Sequence, residues 1–591
     1  MSIEIKNIKQ NKSLLNRSWE LKEFDERKTL KLSQQFNLKY IVAKLLNIRD
    51  IDHESFESFL EPNINFNITS PGKLTDIDKA VDRVINAIKK KQRIGIIADY
   101  DVDGSTSASI LYKFLKNFTS SIFLKIPNRL VDGYGPNIKL MKEMKENKID
   151  LLFTLDCGTT SNDIIDNKDF KNIDVIVIDH HLGELKLPNV LAIINPNRID
   201  DNSNYNQLAA VGVTFLFLIY LRKKLRDSKL FSATKEPNLL AYLDLVALGT
   251  VCDVVELKKY NRFFVKKGLE LIKRRYHKGI AKLIDNSKIN SSPTSQDLGY
   301  IVGPQINAAS RIDDSSLASK LLISNDIEQI ETISRKLFLL NEKRKLIESQ
   351  ILENAKEQAL SQLNSKFIIV HGDDWHQGVL GIVASKLTEI YYKPTIVISF
   401  INNIGVGSAR SIDKVDLGKI ILNAKEEDIL LSGGGHSMAA GLKIKFQNLI
   451  TFNDYLNKCL SSYDDKLFNR VDFFDSVLSL NEINLDLIKN INNLQPFGKG
   501  NTEPYFILKD FIIDSIKILK NKHILIFFEN DLGQKIKAIC FNAKGTILGD
   551  YLEKFNQYQF YFACTLTTDK FTSEPLPQLI IKDVMKINLI N

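Results

Sequence analysis

Three runs of branched apolar residues in this chain stop abruptly on a carboxylate: "RIGIIAD" ends at Asp99, "LLFTLD" at Asp156 and "VIVID" at Asp179. A short, uninterrupted apolar run of this kind reads as a strand covered on both faces. The segments between and before them have a helical period, as in "DIDKAVDRVINAIKKKQ", where Ile77, Val81, Val84, Ile85 and Ile88 fall on one side. Strands alternating with helices give an α/β unit built on a mostly parallel sheet. In such sheets ligands bind outside the carboxyl ends of the strands, so the three acidic ends are expected on one rim.

The residues just past those ends decide the chemistry. "DYDVDG" adds Asp101 and Asp103, "VIVIDHH" adds His180 and His181, and the apolar segment "VALGTVCDVVEL" carries Asp253. Taken singly, an Asp at a strand end is an ordinary turn or helix cap, and paired histidines are commonly surface groups. Together, so many carboxylates repel one another unless a cation neutralises them. Oxygen and imidazole donors without thiolate suit Mn²⁺ or Mg²⁺, and the number of donors suits two ions.

The chain has 591 residues, enough for about three domains. Residues 1–50 are expected to form a small helical cap, and 51–324 the α/β unit with the acidic rim. Residues 325–363, charged and free of Gly and Pro, are expected to be connecting helices. A second, smaller α/β unit covers 364–450. From 465 to 591 short alternating strands such as "HILIFFEN" and "YQFYFACTL" point to a small antiparallel barrel. Five scattered cysteines without a CxxC pair argue against a disulfide framework or a thiolate zinc site. No apolar stretch is long enough to span a membrane and no signal peptide opens the chain, so a cytoplasmic protein is expected. The net charge of +9 suits a nucleic-acid partner, yet 465–591 holds 15 basic and 15 acidic side chains. The excess of positive charge therefore lies before the barrel.

In this order, "DYDVDG", "LDCGTT", "DHH" and "GTVCDVVEL" resemble the four motifs of the DHH phosphoesterase superfamily. "GSARS" and "GGGHSMAAG" resemble its associated DHHA1 domain, while "DDWHQGVLGIVASK" and "LQPFGKGNTEPYF" resemble the RecJ branch of single-strand exonucleases. The resemblance implies a parallel-sheet DHH domain and a DHHA1 domain joined by long helices, followed by an OB-like β-barrel. It implies Asp101, Asp103, Asp156, His180 and Asp253 as ligands of two Mn²⁺ or Mg²⁺ ions, with Asp156 bridging them. His181 would contact the scissile phosphate and Asp179 would orient its neighbours; Asp99 would be a ligand or a support behind the ligands. Arg129, Arg311, Ser408 and Arg410 would hold a 5′-phosphate, with His436 beside the strand. The activity implied is 5′→3′ hydrolysis of single-stranded DNA to 5′-mononucleotides in recombination and repair; the alternative is a phosphodiesterase acting on short oligoribonucleotides or cyclic dinucleotides. A monomer is implied, with a single-strand-binding protein and a RecQ-type helicase as partners. Departures from the family pattern are Ala98, Glu256, Gln305 and Ser310, none of them a proposed ligand.

Overall fold

The protein, described here as a computed structural model, is defined over residues 11–63, 71–129, 131–232, 235–289, 291–569 and 574–589. After the short strand β1 (Ser18–Leu21), the acidic-ended runs form a five-stranded sheet of β2 (Ile94–Ala98), β3 (Ile122–Lys125), β4 (Leu151–Leu155), β5 (Asp174–Ile178) and β6 (Ala192–Ile194). Its order is β3-β2-β4-β5-β6 and every pairing is parallel. All residues of β2 and β4 are buried, as two-sided coverage requires. Ile96, Phe153 and Ile176 face a core completed by Leu111, Phe114, Phe217 and Leu248. Ile97, Leu152 and Val177 face the opposite layer, filled by Met141 and Met144.

The expected helical connection, one or two long helices, is a single 34-residue helix, Ile327–Leu360. At 1.5 Å per residue it is about 50 Å long. Its first turns bury Ile330, Ile333 and Leu337 in the first domain's core, and its last bury Ile351, Ala355 and Ala359 against the second domain. That domain is a sheet of β7 (Ile368–Asp373), β8 (Thr395–Ile401), β9 (Ile404–Arg410), β10 (Ser432–His436) and β11 (Ala439–Lys445), ordered β10-β11-β9-β8-β7. The helix Leu449–Ser461 adds Phe452, Leu456 and Leu460 to its core, so the unit extends past residue 450.

The C-terminal domain follows β12 (Val471–Phe474). It is a seven-stranded sheet of β13 (Ser476–Ser479), β14 (Phe506–Lys509), β15 (Ile512–Leu519), β16 (His523–Glu529), β17 (Lys535–Cys540), β18 (Tyr558–Asp569) and β19 (Leu576–Leu589). The pairings β13–β14 and β17–β19 are parallel, a mixture that alternation of residues cannot reveal. Of the aromatics in "LQPFGKGNTEPYF", Phe506 is core and Tyr505 stacks on Phe474 at 4.4 Å between ring centres.

The N-terminal residues do not form a separate cap. β1 pairs in parallel with β12, and Trp19 is buried among Phe474, Ile507, Ala563 and Met585. Leu32, Val42, Leu45, Leu46, Phe56 and Phe59 share one core with Leu478, Phe506, Ile526 and Phe562 of the C-terminal sheet. The two ends of the chain thus build one domain. Among the described residues, no helix is long and apolar enough to cross a membrane.

Candidate metal centre and phosphate pocket

Each acidic residue reaches the rim by a different local route. Asp99 follows β2, and the chain turns at once into the helix Val102–Leu115, with Asp101 as its N-cap accepting from the Gly104 amide at 2.9 Å. The turn is so tight that a Cβ on Gly104 would lie 2.4 Å from the Asp99 carbonyl oxygen, so only glycine fits. Asp103, in the first turn of the same helix, is fully buried; its carboxylate accepts from the amides of Ala210 and Val211 at 2.7 and 2.8 Å, at the N-terminus of the helix Ala210–Asp227. Asp156 follows β4 with a left-handed φ of 59°, a conformation uncommon outside glycine and concentrated at functional sites. Asp253 comes from no strand: it caps the C-terminal end of the helix Leu243–Cys252.

These groups converge on His180. Its Nε2 lies 3.3 Å from Asp156 Oδ1, 3.6 Å from Asp253 Oδ2 and 3.9 Å from Asp103 Oδ2. Three sets of donor atoms lie close enough to share a cation: Asp99, Asp101 and Asp156; Asp103, His180 and Asp253; and Asp156, His180 and His181. Asp156 belongs to two of them, once with Asp99 and Asp101 and once with the two histidines, and His180 also belongs to two, so the three sets share ligands and form one continuous cluster.

Electrostatics shows what the cluster lacks. Burial, and then the neighbouring carboxylates, push Asp99, Asp103 and Asp156 well above the carboxylate range. Burial and Asp101 push Asp253 to about 7. Burial and His181 bring His180 down to about 4, leaving the neutral imidazole a metal requires. Asp99 Oδ1, Asp156 Oδ1, Asp253 Oδ2 and His180 Nε2 are buried and have no hydrogen-bond partner. Buried polar atoms normally find partners, so four orphans pointing into one space fit divalent cations.

Asp179 behaves differently. It accepts from the amides of His180 (2.7 Å), His181 (3.2 Å) and Thr159 (3.1 Å) and pairs with His181 Nδ1 at 2.8 Å. These bonds overcome its burial and hold its pKa below the ordinary range, while raising that of His181. Asp179 is therefore a fixed anion that sets the His181 ring. Tyr134, which donates to the Asp156 carbonyl at 2.8 Å, touches His181 Nδ1 at 3.3 Å. Asn195 donates to the His181 carbonyl at 2.8 Å, and Asn197 to that of His180. Neither Asn was anticipated, although "LAIINPN" repeats the pattern of an apolar run ending in polar residues.

The arginines gather beside this centre. Arg129 lies over the Tyr100 ring at 5.1 Å, and its charge acts on Asp99. Arg311 is pushed down to about 9 by burial and by Arg129, Arg344 and Arg410; Arg410 is lowered by burial and Arg129. Arg311 donates to the Gly378 carbonyl at 3.0 Å, at the start of the helix Gln377–Tyr391; a Cβ on Gly378 would lie 2.0 Å from the Arg311 carbonyl oxygen. Arg410 sits on β9 and donates to Ser408 Oγ at 3.3 Å. Mutually repelling, partly buried arginines call for an anion. Arg344 comes from the long helix and is already paired with Glu348 at 2.5 Å and Asn341 at 2.8 Å. His436 stands exposed on the edge strand β10 and belongs to none of the ligand sets. Gln305 and Ser310 are buried; Gln305 donates to Ser287 and to the Ile301 carbonyl, within the helical packing.

Comparison with known proteins agrees with this architecture. Residues 93–250 match the DHH family, N-terminal domain; 364–462 the DHHA1 domain; and 474–583 the RecJ OB domain. The chain is 33% identical to the single-stranded-DNA-specific exonuclease RecJ of Haemophilus influenzae over 93% of its own length and 96% of that protein's. It is 30% identical to the Bacillus subtilis RecJ, covering 96% of this chain and 70% of the relative. Its fold superposes on the crystal structure of Thermus thermophilus RecJ in complex with Mn²⁺ with a TM-score of 0.80, at 23% identity, over 96% of this chain and 79% of that one. A manganese-bound exonuclease RecJ superposes with a TM-score of 0.58 at 29% identity, over 66% of this chain and 96% of that one. With similarity spanning nearly the whole of both chains and all three domains in order, the protein belongs to the RecJ family of single-stranded-DNA-specific exonucleases.

Proposed function

We propose that this chain is a metal-dependent exonuclease that hydrolyses single-stranded DNA from the 5′ end and releases 5′-mononucleotides. The observation that carries the reading is the set of four buried, unpartnered donor atoms lying next to a group of anion-seeking arginines. Asp101, Asp103, Asp156, His180 and Asp253 would hold two Mn²⁺ or Mg²⁺ ions, with Asp99 completing or backing the set. When bound, the ions acidify the attacking water and neutralise charge developing on the phosphate.

The protein's own groups do the rest. Asp179 fixes His181 through Nδ1, leaving Nε2 as the ring nitrogen available to a phosphate oxygen. The bond to Asp179 outweighs burial and raises the His181 pKa, which widens the pH range over which the ring can donate. Arg129, Arg311, Ser408 and Arg410 would grip the terminal phosphate, which places the 5′ end at the centre, and His436 would lie along the strand. The C-terminal domain supports a substrate longer than a dinucleotide, which favours DNA strands over cyclic dinucleotides. An enzyme confined to single strands needs other proteins to expose them. A single-strand-binding protein and a RecQ-type helicase fit that need, with a monomeric enzyme in the cytoplasm.

The test is digestion of end-labelled single-stranded DNA in Mn²⁺, Mg²⁺ or EDTA, beside RNA and cyclic dinucleotide controls. Stepwise mononucleotide release from DNA, abolished by EDTA, is expected. Preferential cleavage of a control substrate would refute the assignment.

A further inference from the structure

The carboxylate cluster has two unlike flanks. The charge of Arg129 acts on Asp99, and that of Lys499 acts on Asp253. On the Lys499 flank a pocket of about 350 Å³ opens, walled by Val251, Val254, Gly299, Tyr300, Phe497 and Lys499. Neither side of it is ordinary surface. Val254, the residue after Asp253, is 60% exposed with a left-handed φ of 59°, a strained state for a β-branched side chain. Tyr300 is 83% exposed and sits in a single π-helical turn, Leu298–Val302, an irregularity that recurs at functional sites.

The mounting is rigid. The Leu257 amide donates to the Lys499 carbonyl at 2.7 Å, and Ser295 Oγ to the Phe497 carbonyl at 2.6 Å. Arg262, fully buried, donates to the carbonyls of Leu494 and Gln495 from the same segment. An exposed ring on a fixed base, an apolar floor and a rim where Lys499 stands with Gln296 and Glu503, themselves bonded at 3.1 Å, match the chemistry of a nucleotide: a base with a π-face, hydrogen-bonding edges and a phosphate.

Resting on the exonuclease reading above, we propose that this pocket takes the nucleotide on the 3′ side of the scissile phosphate, with Tyr300 stacking on its base and Lys499 meeting the phosphate that follows. If the arginines hold the first nucleotide at the Asp99 flank, the strand that remains after the cut must leave past Asp253. The pocket lies on that flank, walled by the residues on either side of Asp253, and holding that nucleotide would fix the scissile bond between two anchored neighbours.

The test measures the first cleavage step under single-turnover conditions with full-length protein and a 5′-phosphorylated 20-mer. The strand is either intact or abasic at position 2 or 3. On intact DNA, Tyr300→Ala should slow the step about tenfold, the usual size of a lost base–aromatic stack, while Tyr300→Trp stays within about threefold of wild type. An abasic residue at the stacking position should slow the wild type about tenfold and leave Tyr300→Ala unchanged, because its stack is already gone. Lys499→Ala should flatten the dependence of log rate on log salt by about 0.7. Unaltered melting temperature and Mn²⁺-induced stabilisation of the Tyr300 variants would confirm an intact centre. Wild-type speed of Tyr300→Ala, or abasic and Tyr300 penalties that simply multiply, would overturn this proposal while leaving the exonuclease reading in place. A wild type that digests no single strand would remove that reading and this proposal together.

Discussion

At the scale of single residues, the centre is defined by charge that its own side chains do not neutralise. The pKa of Asp156 is driven up by burial first and then by four neighbouring carboxylates, so Asp156→Asn should do two opposite things. Cleavage should be abolished, and without divalent ions the variant should unfold about 1–2 kcal/mol less readily than wild type, because crowding is relieved. Mn²⁺ should raise the melting temperature of the wild type clearly more than that of the variant, which keeps only the Asp103, His180 and Asp253 set whole. Residual cleavage, or equal metal stabilisation of both proteins, would count against the site. Arg410→Ala should cost ten- to hundredfold on 5′-phosphorylated DNA and much less on 5′-hydroxyl DNA, since it removes one charge-assisted contact worth about 1.5–3 kcal/mol. Equal losses on both substrates would show that Arg410 does not read the terminal phosphate.

A third residue-scale prediction concerns stability alone. Asp244 lies at the other end of the helix that presents Asp253; burial raises its pKa to about 7, and its Oδ2 has no partner. Below about pH 4 the folded and unfolded chains both hold this proton. As pH rises towards 7 the unfolded chain ionises freely and the folded chain resists, so stability is lost through that window. The stability of Asp244→Asn relative to wild type should therefore climb between pH 4 and 7 by about 2–4 kcal/mol, at roughly 1.4 kcal/mol per pKa unit, and level off above it. A flat difference in denaturant titrations across that range would contradict it.

At the scale of elements, strand ends were the legible part. β2, β4 and β5 are apolar but for Thr154 and the leading Asp174, and a local run of residues is enough to mark where such a strand stops. Asp253 was legible as a motif residue but not as a helix cap, since "VALGTVC" is apolar all round and shows no period. Tyr134, Lys499 and Arg344 were not singled out: each matters through contacts with residues far away in the chain, and no local pattern marks such contacts. Arg262 is the extreme case. It stacks on Phe59 at 3.7 Å and donates to the carbonyls of Phe59, Leu494 and Gln495, so it clamps both ends of the chain to the catalytic domain. Arg262→Met keeps the bulk but leaves those carbonyls unmet. Urea unfolding should show a loss of about 2–4 kcal/mol. A change under 1 kcal/mol would mean that water replaces the guanidinium without cost.

At the scale of the whole molecule, the order of domains was readable and their assembly was not. Nothing local in "RSWEL" announces that it will pair with Val471–Phe474, some 450 residues on. Because Leu32, Leu45, Phe56 and Phe59 belong to the C-terminal core, a chain ending near residue 462 should aggregate with its first 60 residues attached. Removing both ends together should restore a soluble two-domain protein. Size-exclusion chromatography of the two truncations decides this, and equal solubility would argue against a shared core.

The most direct measurement is the identity and timing of the first labelled product from a 5′-phosphorylated single strand carrying one label at its 5′ end and another at its 3′ end. In Mn²⁺ or Mg²⁺ the 5′ label should appear at once as a mononucleotide, while the 3′ label shortens one nucleotide at a time. EDTA or Asp156→Ala should stop both. Early release of the 3′ label, internal cuts, or cleavage that survives EDTA would contradict the account.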